Sequence, residues 1–126
     1  MSNIKLNKFF KTVCIASDHA GFSLKEEIKD FLVNKKVSIF DIGPFSDKSV
    51  DYPDYAKKLG NRVKLKKSDV GILVCGSGTG MAISANKIKT IRAAVCYNLK
   101  STRLSRQHNN ANIIALGSRL TEKNYL

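Results

Sequence analysis

The 126-residue sequence predicts an α/β fold, a Rossmann-like three-layer sandwich with a five-stranded parallel sheet and helices on both faces. Three observations carry that expectation. Short apolar runs alternate with segments of helical periodicity, with no linker, internal repeat or low-complexity stretch between them. The helical segments are long enough to cross back over a sheet and start a parallel strand. A glycine-rich turn, Cys75-Gly76-Ser77-Gly78-Thr79-Gly80, stands directly between an apolar run and a helix start.

Taken in order, a polar, lysine-bearing extension at 1–11 precedes a short apolar strand at 12–17. Residues 22–34 form a helix with Leu24, Ile28, Phe31 and Leu32 on one face. A second strand at 37–41 is broken by Ile42-Gly43-Pro44, and 46–51 is a polar loop. The next helix begins near Pro53, a favoured first-turn residue, and carries Tyr55, Leu59 and Val63 inward. Tyr52, just before it, either packs at the helix start or lines a site. Residues 70–74 are the third strand, and a helix runs over 81–87 after the glycine turn. A strand at 93–96, a helix over about 99–107 and a strand at 113–116, ending at Gly117, complete a single domain over 1–126.

The glycine turn is the site expectation. Three glycines among small hydroxyl residues allow backbone N–H groups to converge on an anion at a helix N-terminus. Cys75 at its first position puts a thiol beside those N–H groups and the positive helix end, where a thiolate is favoured. Ligands in parallel α/β sheets bind at the carboxyl ends of the strands. That rule gathers Asp18 and His19 after the first strand, Cys75 to Gly80 after the third, and Ser118 and Arg119 after the last. Asp18 also suits a cap for the first helix. His108 and Asn109 close the last helix, and the rule does not bring them to the site. Cys14 and Cys96 lie inside apolar strands and read as core residues.

Composition excludes several classes. No apolar run approaches the ~18 residues of a membrane span, and no h-region marks a secretory signal. Three cysteines without close pairing argue against a disulfide framework and for the cytoplasm. The dinucleotide fingerprint fails because Met81 takes the third glycine position, and no Asp or Glu occurs between Asp69 and Glu122. The same gap disfavours a Mg²⁺ site, and no Walker A loop or zinc-ligand spacing is present, so no metal or cofactor is expected. The formal charge of +12 is densest at Lys57, Lys58, Arg62, Lys64, Lys66 and Lys67. No aromatic residues interleave with these in sequence as a stacking platform requires, so nucleic acid is not the expected partner. A solvated face fits better, with a weak polyanion surface as the alternative, and such a field would also steer a small anionic substrate.

The elements Ser17-Asp18-His19-Ala20-Gly21-Phe22, Asp51-Tyr52-Pro53, Cys75 to Met81, Ala85-Asn86-Lys87 and Ser105-Arg106-Gln107-His108-Asn109-Asn110, in this order, resemble the ribose-5-phosphate isomerase B family. That family includes galactose-6-phosphate isomerase subunits. The resemblance implies a metal-free aldose–ketose isomerisation of ribose 5-phosphate and ribulose 5-phosphate through a cis-enediolate, in the non-oxidative pentose phosphate pathway. It implies Cys75 as the base and His108 as the acid/base that opens the furanose ring. Asp18 and His19 would contact sugar and phosphate, and Gly76, Ser77, Gly78, Thr79 and Gly80 would stabilise the enediolate. Asn109 would hold a sugar hydroxyl or the enediolate oxygen, and Arg119 the phosphate. The implied working unit is a homodimer, or a dimer of dimers, with sites across the interface. Family members usually continue with a long helix and further basic residues, which this reading takes to be missing after Leu126. Galactose 6-phosphate or allose 6-phosphate is the same-class alternative, and a non-catalytic phosphate- or nucleic-acid-binding module the different-class one.

Overall fold

The apolar runs pair into one sheet because each is too short and too buried to stand alone. A computed structural model describes residues 12–120; the extension at 1–11 and residues 121–126 lie outside the described residues. The elements are β1 (Thr12–Ser17), α1 (Phe22–Asn34), β2 (Ser38–Gly43), α2 (Tyr52–Lys64), β3 (Val70–Cys75), α3 (Thr79–Asn86), β4 (Ala93–Cys96), α4 (Leu99–Asn109) and β5 (Ile113–Gly117). The strands lie in the order β2-β1-β3-β5-β4 and every pair is parallel. The expected five-stranded α/β sandwich is therefore the observed one. Chain order reverses between β1 and β3, which opens a crevice outside their carboxyl ends.

Alternate residues of each strand feed two cores. On one face Cys14, Ala16, Leu73, Cys75 and Ala115 pack against Leu59 and Val63 of α2 and Met81 and Ala85 of α3. On the other, Val13, Ile15, Val74 and Leu116 pack against Leu24, Ile28 and Leu32 of α1. Each fully buried Leu or Ile stabilises the fold by about 1.5–3 kcal/mol relative to exposure. Cys14 and Cys96 are fully buried, one in each core.

Two boundaries differ from expectation. Strand β2 runs on through Ile42 and Gly43, because a register shift opposite Ile15 and Ala16 lets Gly43 still pair with β1. Helix α3 begins at Thr79 rather than 81, since Gly78 takes the left-handed conformation that starts it. Phe31, expected on the buried face of α1, is 38% exposed, whereas Lys25 is fully buried. The reason is ionic. Lys25 Nζ donates to Asp41 Oδ2 at 2.7 Å and to Glu26 Oε2 at 2.8 Å, and Lys29 Nζ donates to the same Asp41 oxygen at 2.6 Å. Phe22 and Phe45 flank the Lys25 ammonium, with ring centroids at 5.2 Å and 5.8 Å.

Burial alone would push the Asp41 carboxyl up, but the hydrogen bonds from Lys25 and Lys29 outweigh it and hold the group below its ordinary 3.8. A carboxylate so lowered stabilises the fold fully above its unfolded value and loses that contribution as pH falls through its folded value. Urea denaturation is therefore expected to show a steeper loss of stability below about pH 4 in the native protein than in Asp41→Asn. At pH 7, Asp41→Asn removes one partner of a buried ion pair and is expected to cost about 3 kcal/mol, at the low end for such losses because Glu26 remains.

Candidate active site

Cys75 ends β3, and everything that surrounds it follows from what leaves the neighbouring strands. The chain must turn at once into α3, and Gly78 makes the turn with φ +82°. A side chain there would be strained, and its Cβ would lie 3.1 Å from the Ala115 carbonyl oxygen on β5. In this geometry the Gly78 N–H donates to Cys75 Sγ at 3.0 Å. The sulfur at the head of the turn thus accepts a backbone N–H from the turn itself. Burial pushes the Cys14 thiol up to about 11, which keeps it a neutral core residue.

Adjacent loops are stitched to the turn. Ser118 N–H donates to the Cys75 carbonyl oxygen at 2.7 Å, and Arg119 N–H to the Gly76 oxygen at 3.1 Å. These bonds lay Arg119 over Gly76, where a Cβ would come within 3.0 Å of its guanidinium. Ser118 Oγ donates to the Ala20 carbonyl oxygen at 3.0 Å. On the β1 side, Asp18 N–H donates to the Val74 oxygen at 3.1 Å, and Asp18 Oδ1 accepts the Gly21 N–H at 2.9 Å. The side chain thus closes the turn before α1, and Gly21 rather than Asp18 occupies the cap position.

The result is one open cavity of about 480 Å³. It gathers Asp18 and His19 after β1, Cys75, Gly76, Ser77 and Gly80 after β3, and Arg119 and Leu120 after β5. Tyr52 closes it from the start of α2, its ring so near Gly80 that a Cβ there would lie 2.9 Å from it. The motif Asp51-Tyr52-Pro53 held the signal for Tyr52: a helix returning antiparallel to the strands begins at their carboxyl ends. Gly78 and Thr79 do not line the cavity. The Gly78 N–H is engaged by Cys75 and the Thr79 N–H by Ser77 Oγ at 3.2 Å, so the turn offers fewer free donors than its glycines suggest.

His108 and Asn109 are not brought to this cavity. They close α4 at the other end of the sheet, where the Asn109 carbonyl oxygen accepts from Arg92 Nε at 2.6 Å, just before β4. The length of β5 separates the two ends, four residue steps or roughly 13 Å. Both residues are exposed. Among the described residues no group of three or more His, Cys, Asp or Glu side chains is close enough to hold a metal ion. No helix among them is long and apolar enough to cross a membrane.

Comparison with known proteins adds an independent line. A family model described as Ribose/Galactose Isomerase matches residues 13–126. The ribose-5-phosphate isomerase B of Escherichia coli is 46% identical over 110 residues, covering 87% of this chain and 74% of that protein. The structure of Clostridium thermocellum ribose-5-phosphate isomerase B superposes with a TM-score of 0.89 at 46% identity, covering 90% of this chain and 77% of that one. A Mycoplasma genitalium ribose-5-phosphate isomerase B solved with bound ribulose-5-phosphate gives a TM-score of 0.84 at 40% identity, covering 90% and 76%.

Cys75 is the one of the three cysteines that lines the cavity. All three thiols are buried, but Cys75 keeps 5% exposure on the cavity while Cys14 and Cys96 are fully covered, so iodoacetamide is expected to label Cys75 first, as read by peptide mass spectrometry. Gly78→Ala, which strains the turn and displaces the N–H from sulfur, is expected to slow that labelling about tenfold, a loss of roughly 1.4 kcal/mol. Equal labelling of the three thiols, or an unchanged rate in Gly78→Ala, would contradict the assignment.

Proposed function

The chain belongs to the ribose/galactose isomerase family, and from that premise we propose that it interconverts ribose 5-phosphate and ribulose 5-phosphate with Cys75 as the base. The observation that carries the reading is the Cys75 sulfur accepting a backbone N–H inside a cavity that also holds Arg119. The Arg119 guanidinium pairs with the phosphate through two oxygens, and His19 and Asp18 hold phosphate and sugar. This fixes the open-chain sugar with its C1 and C2 beside the sulfur.

The Cys75 thiolate takes the proton from C2 of the aldose, leaving a cis-enediolate. The resulting thiol returns a proton to C1, and a proton moves from the C2 hydroxyl to the C1 oxygen, giving the ketose. Atoms and electrons balance without an external oxidant or reductant. Negative charge on the enediolate oxygen is met by the turn's remaining N–H groups and by Ser77, and one such donor contributes on the order of 3 kcal/mol to the barrier. Tyr52 closes the cavity over the reacting carbons and limits access of water.

His108 opens the furanose ring before isomerisation and Asn109 holds a sugar oxygen. In one chain both stand roughly 13 Å of sheet away from the cavity they serve. A homodimer supports these roles, with the α4 terminus of one copy reaching the Cys75 cavity of the other. The whole chain then acts as one isomerase domain per copy, in the cytoplasm, where three free thiols persist.

The direct test is conversion of ribose 5-phosphate in the presence of EDTA, with galactose 6-phosphate alongside. Native protein is expected to act on the pentose and ignore the chelator, and Cys75→Ala to lose about 10²- to 10⁴-fold in kcat. Full activity in Cys75→Ala would refute the base. The dimer has its own test in complementation. Cys75→Ala and His108→Ala are each expected to be nearly inactive alone, and mixing with subunit exchange to restore about a quarter of native activity, one intact site in half of the dimers. No recovery on mixing, with exchange verified, would place both residues in the same-chain site.

A further inference from the structure

We propose that the outer face formed by edge strand β2 and helix α2 binds single-stranded nucleic acid. In sequence, the basic cluster from Lys57 to Lys67 contains no aromatic residue. Folding supplies them from elsewhere. Strand β2 is an edge of the sheet, and it sets Phe40, and Phe45 just beyond it, beside the cations of α2. Phe40 is 49% exposed and Phe45 76% exposed, an unusual state for phenylalanine. With Leu65, Lys58, Asn61, Arg62 and Lys67 they line a groove of about 560 Å³ that shares no residue with the Cys75 cavity.

The groove has the two parts that such binding requires. Its first part is a stacking surface. The Arg62 guanidinium lies 3.6 Å over the Phe40 ring, and its Nε donates to the buried Ser68 hydroxyl at 2.9 Å, which fixes a flat, charged plane. The Phe45 ring has the Lys25 ammonium 5.8 Å from its centroid and remains largely open to solvent. Unstacked bases pack on aromatic and guanidinium planes in this way. The second part is charge. Lys58, Arg62 and Lys67 line the groove, Lys57, Lys64 and Lys66 are exposed elsewhere on α2 and its exit, and no acidic residue occurs between Asp54 and Asp69. Asp41 also borders the groove, but its carboxylate is held by Lys25 and Lys29 at 2.7 and 2.6 Å.

Charge also selects among occupants. A second copy docked by a two-fold axis would set the same cations against themselves. A duplex keeps its bases stacked and offers nothing to Phe45 or to the Arg62 plane. A flexible polyanion with exposed aromatic bases satisfies both parts.

Fluorescence polarisation of a labelled U12 RNA with the full chain, at 50 and 200 mM salt, tests the proposal. Binding is expected at 50 mM salt and to weaken strongly at 200 mM. Phe45→Ala is expected to weaken it at least fivefold while leaving the isomerase rate unchanged. Lys58→Ala with Lys67→Ala should reduce the salt slope by about 1.4, two single-strand contacts. The pair Lys100→Ala with Arg103→Ala on α4 removes the same charge elsewhere and should stay within twofold. The proposal fails if U12 does not bind at 50 mM, or if Phe45→Ala binds like the native chain. It fails equally if the α4 pair weakens binding as much as the α2 pair, if duplex RNA or polyglutamate binds as well as U12, or if only vesicles of mixed phosphatidylcholine and phosphatidylserine are bound.

Discussion

The hydrogen bond from the Ser118 N–H to the Cys75 carbonyl oxygen, 2.7 Å long, is the constraint on which the site depends. It continues the β3–β5 ladder, in which Cys75 pairs with Gly117, one residue past the end of β5. That step fixes the backbone on which the reactive sulfur hangs, and through the next bond it fixes Arg119 above Gly76. The last strand thereby completes a site begun two strands earlier in sequence. A parallel pair of strands leaves its terminal peptide groups unsatisfied, and here the two loops satisfy each other. The glycines in the loops are small because backbone from one passes within van der Waals reach of the other.

A second constraint holds the opposite wall. Lys25, buried under Phe22 and Phe45, binds Asp41, and Asp41 Oδ1 in turn accepts the Gly43 N–H at 2.9 Å. These contacts anchor the end of β2, from which the chain proceeds to Tyr52 at the cavity. A buried ion pair adds little net stability by itself, since desolvation offsets most of the attraction. Its effect here is on the path of the chain, and the same pair leaves the outer side of Phe45 facing solvent. The basic groove thus takes two of its lining residues, Asp41 and Phe45, from this charged cluster.

Much of this was legible in the sequence. Strand and helix alternation gave the sheet, and the rule of carboxyl ends brought Asp18, His19, Cys75 and Arg119 together before any coordinates. The remainder was hidden for identifiable reasons. Lys25 takes an inward position on α1 because Asp41, on a different element, meets it, and helical periodicity cannot register a partner sixteen residues away. Tyr52 lines the cavity because of the direction in which α2 runs. The engagement of the Gly78 and Thr79 N–H groups depends on side-chain positions within one turn. His108 lies far from Cys75 because a helix that crosses back to a parallel strand must end at the amino ends of the strands, opposite the cavity.

The central claim is that Cys75 moves a proton between adjacent sugar carbons. Proton NMR of ribose 5-phosphate with the native chain in D₂O tests it most directly, with Cys75→Ser as the reference. The account predicts that the native chain isomerises the sugar, that any deuterium the thiol takes up from solvent enters only at C1 and C2, and that Cys75→Ser shows neither isomerisation nor exchange. Isomerisation, or exchange, at the native rate in Cys75→Ser would contradict it.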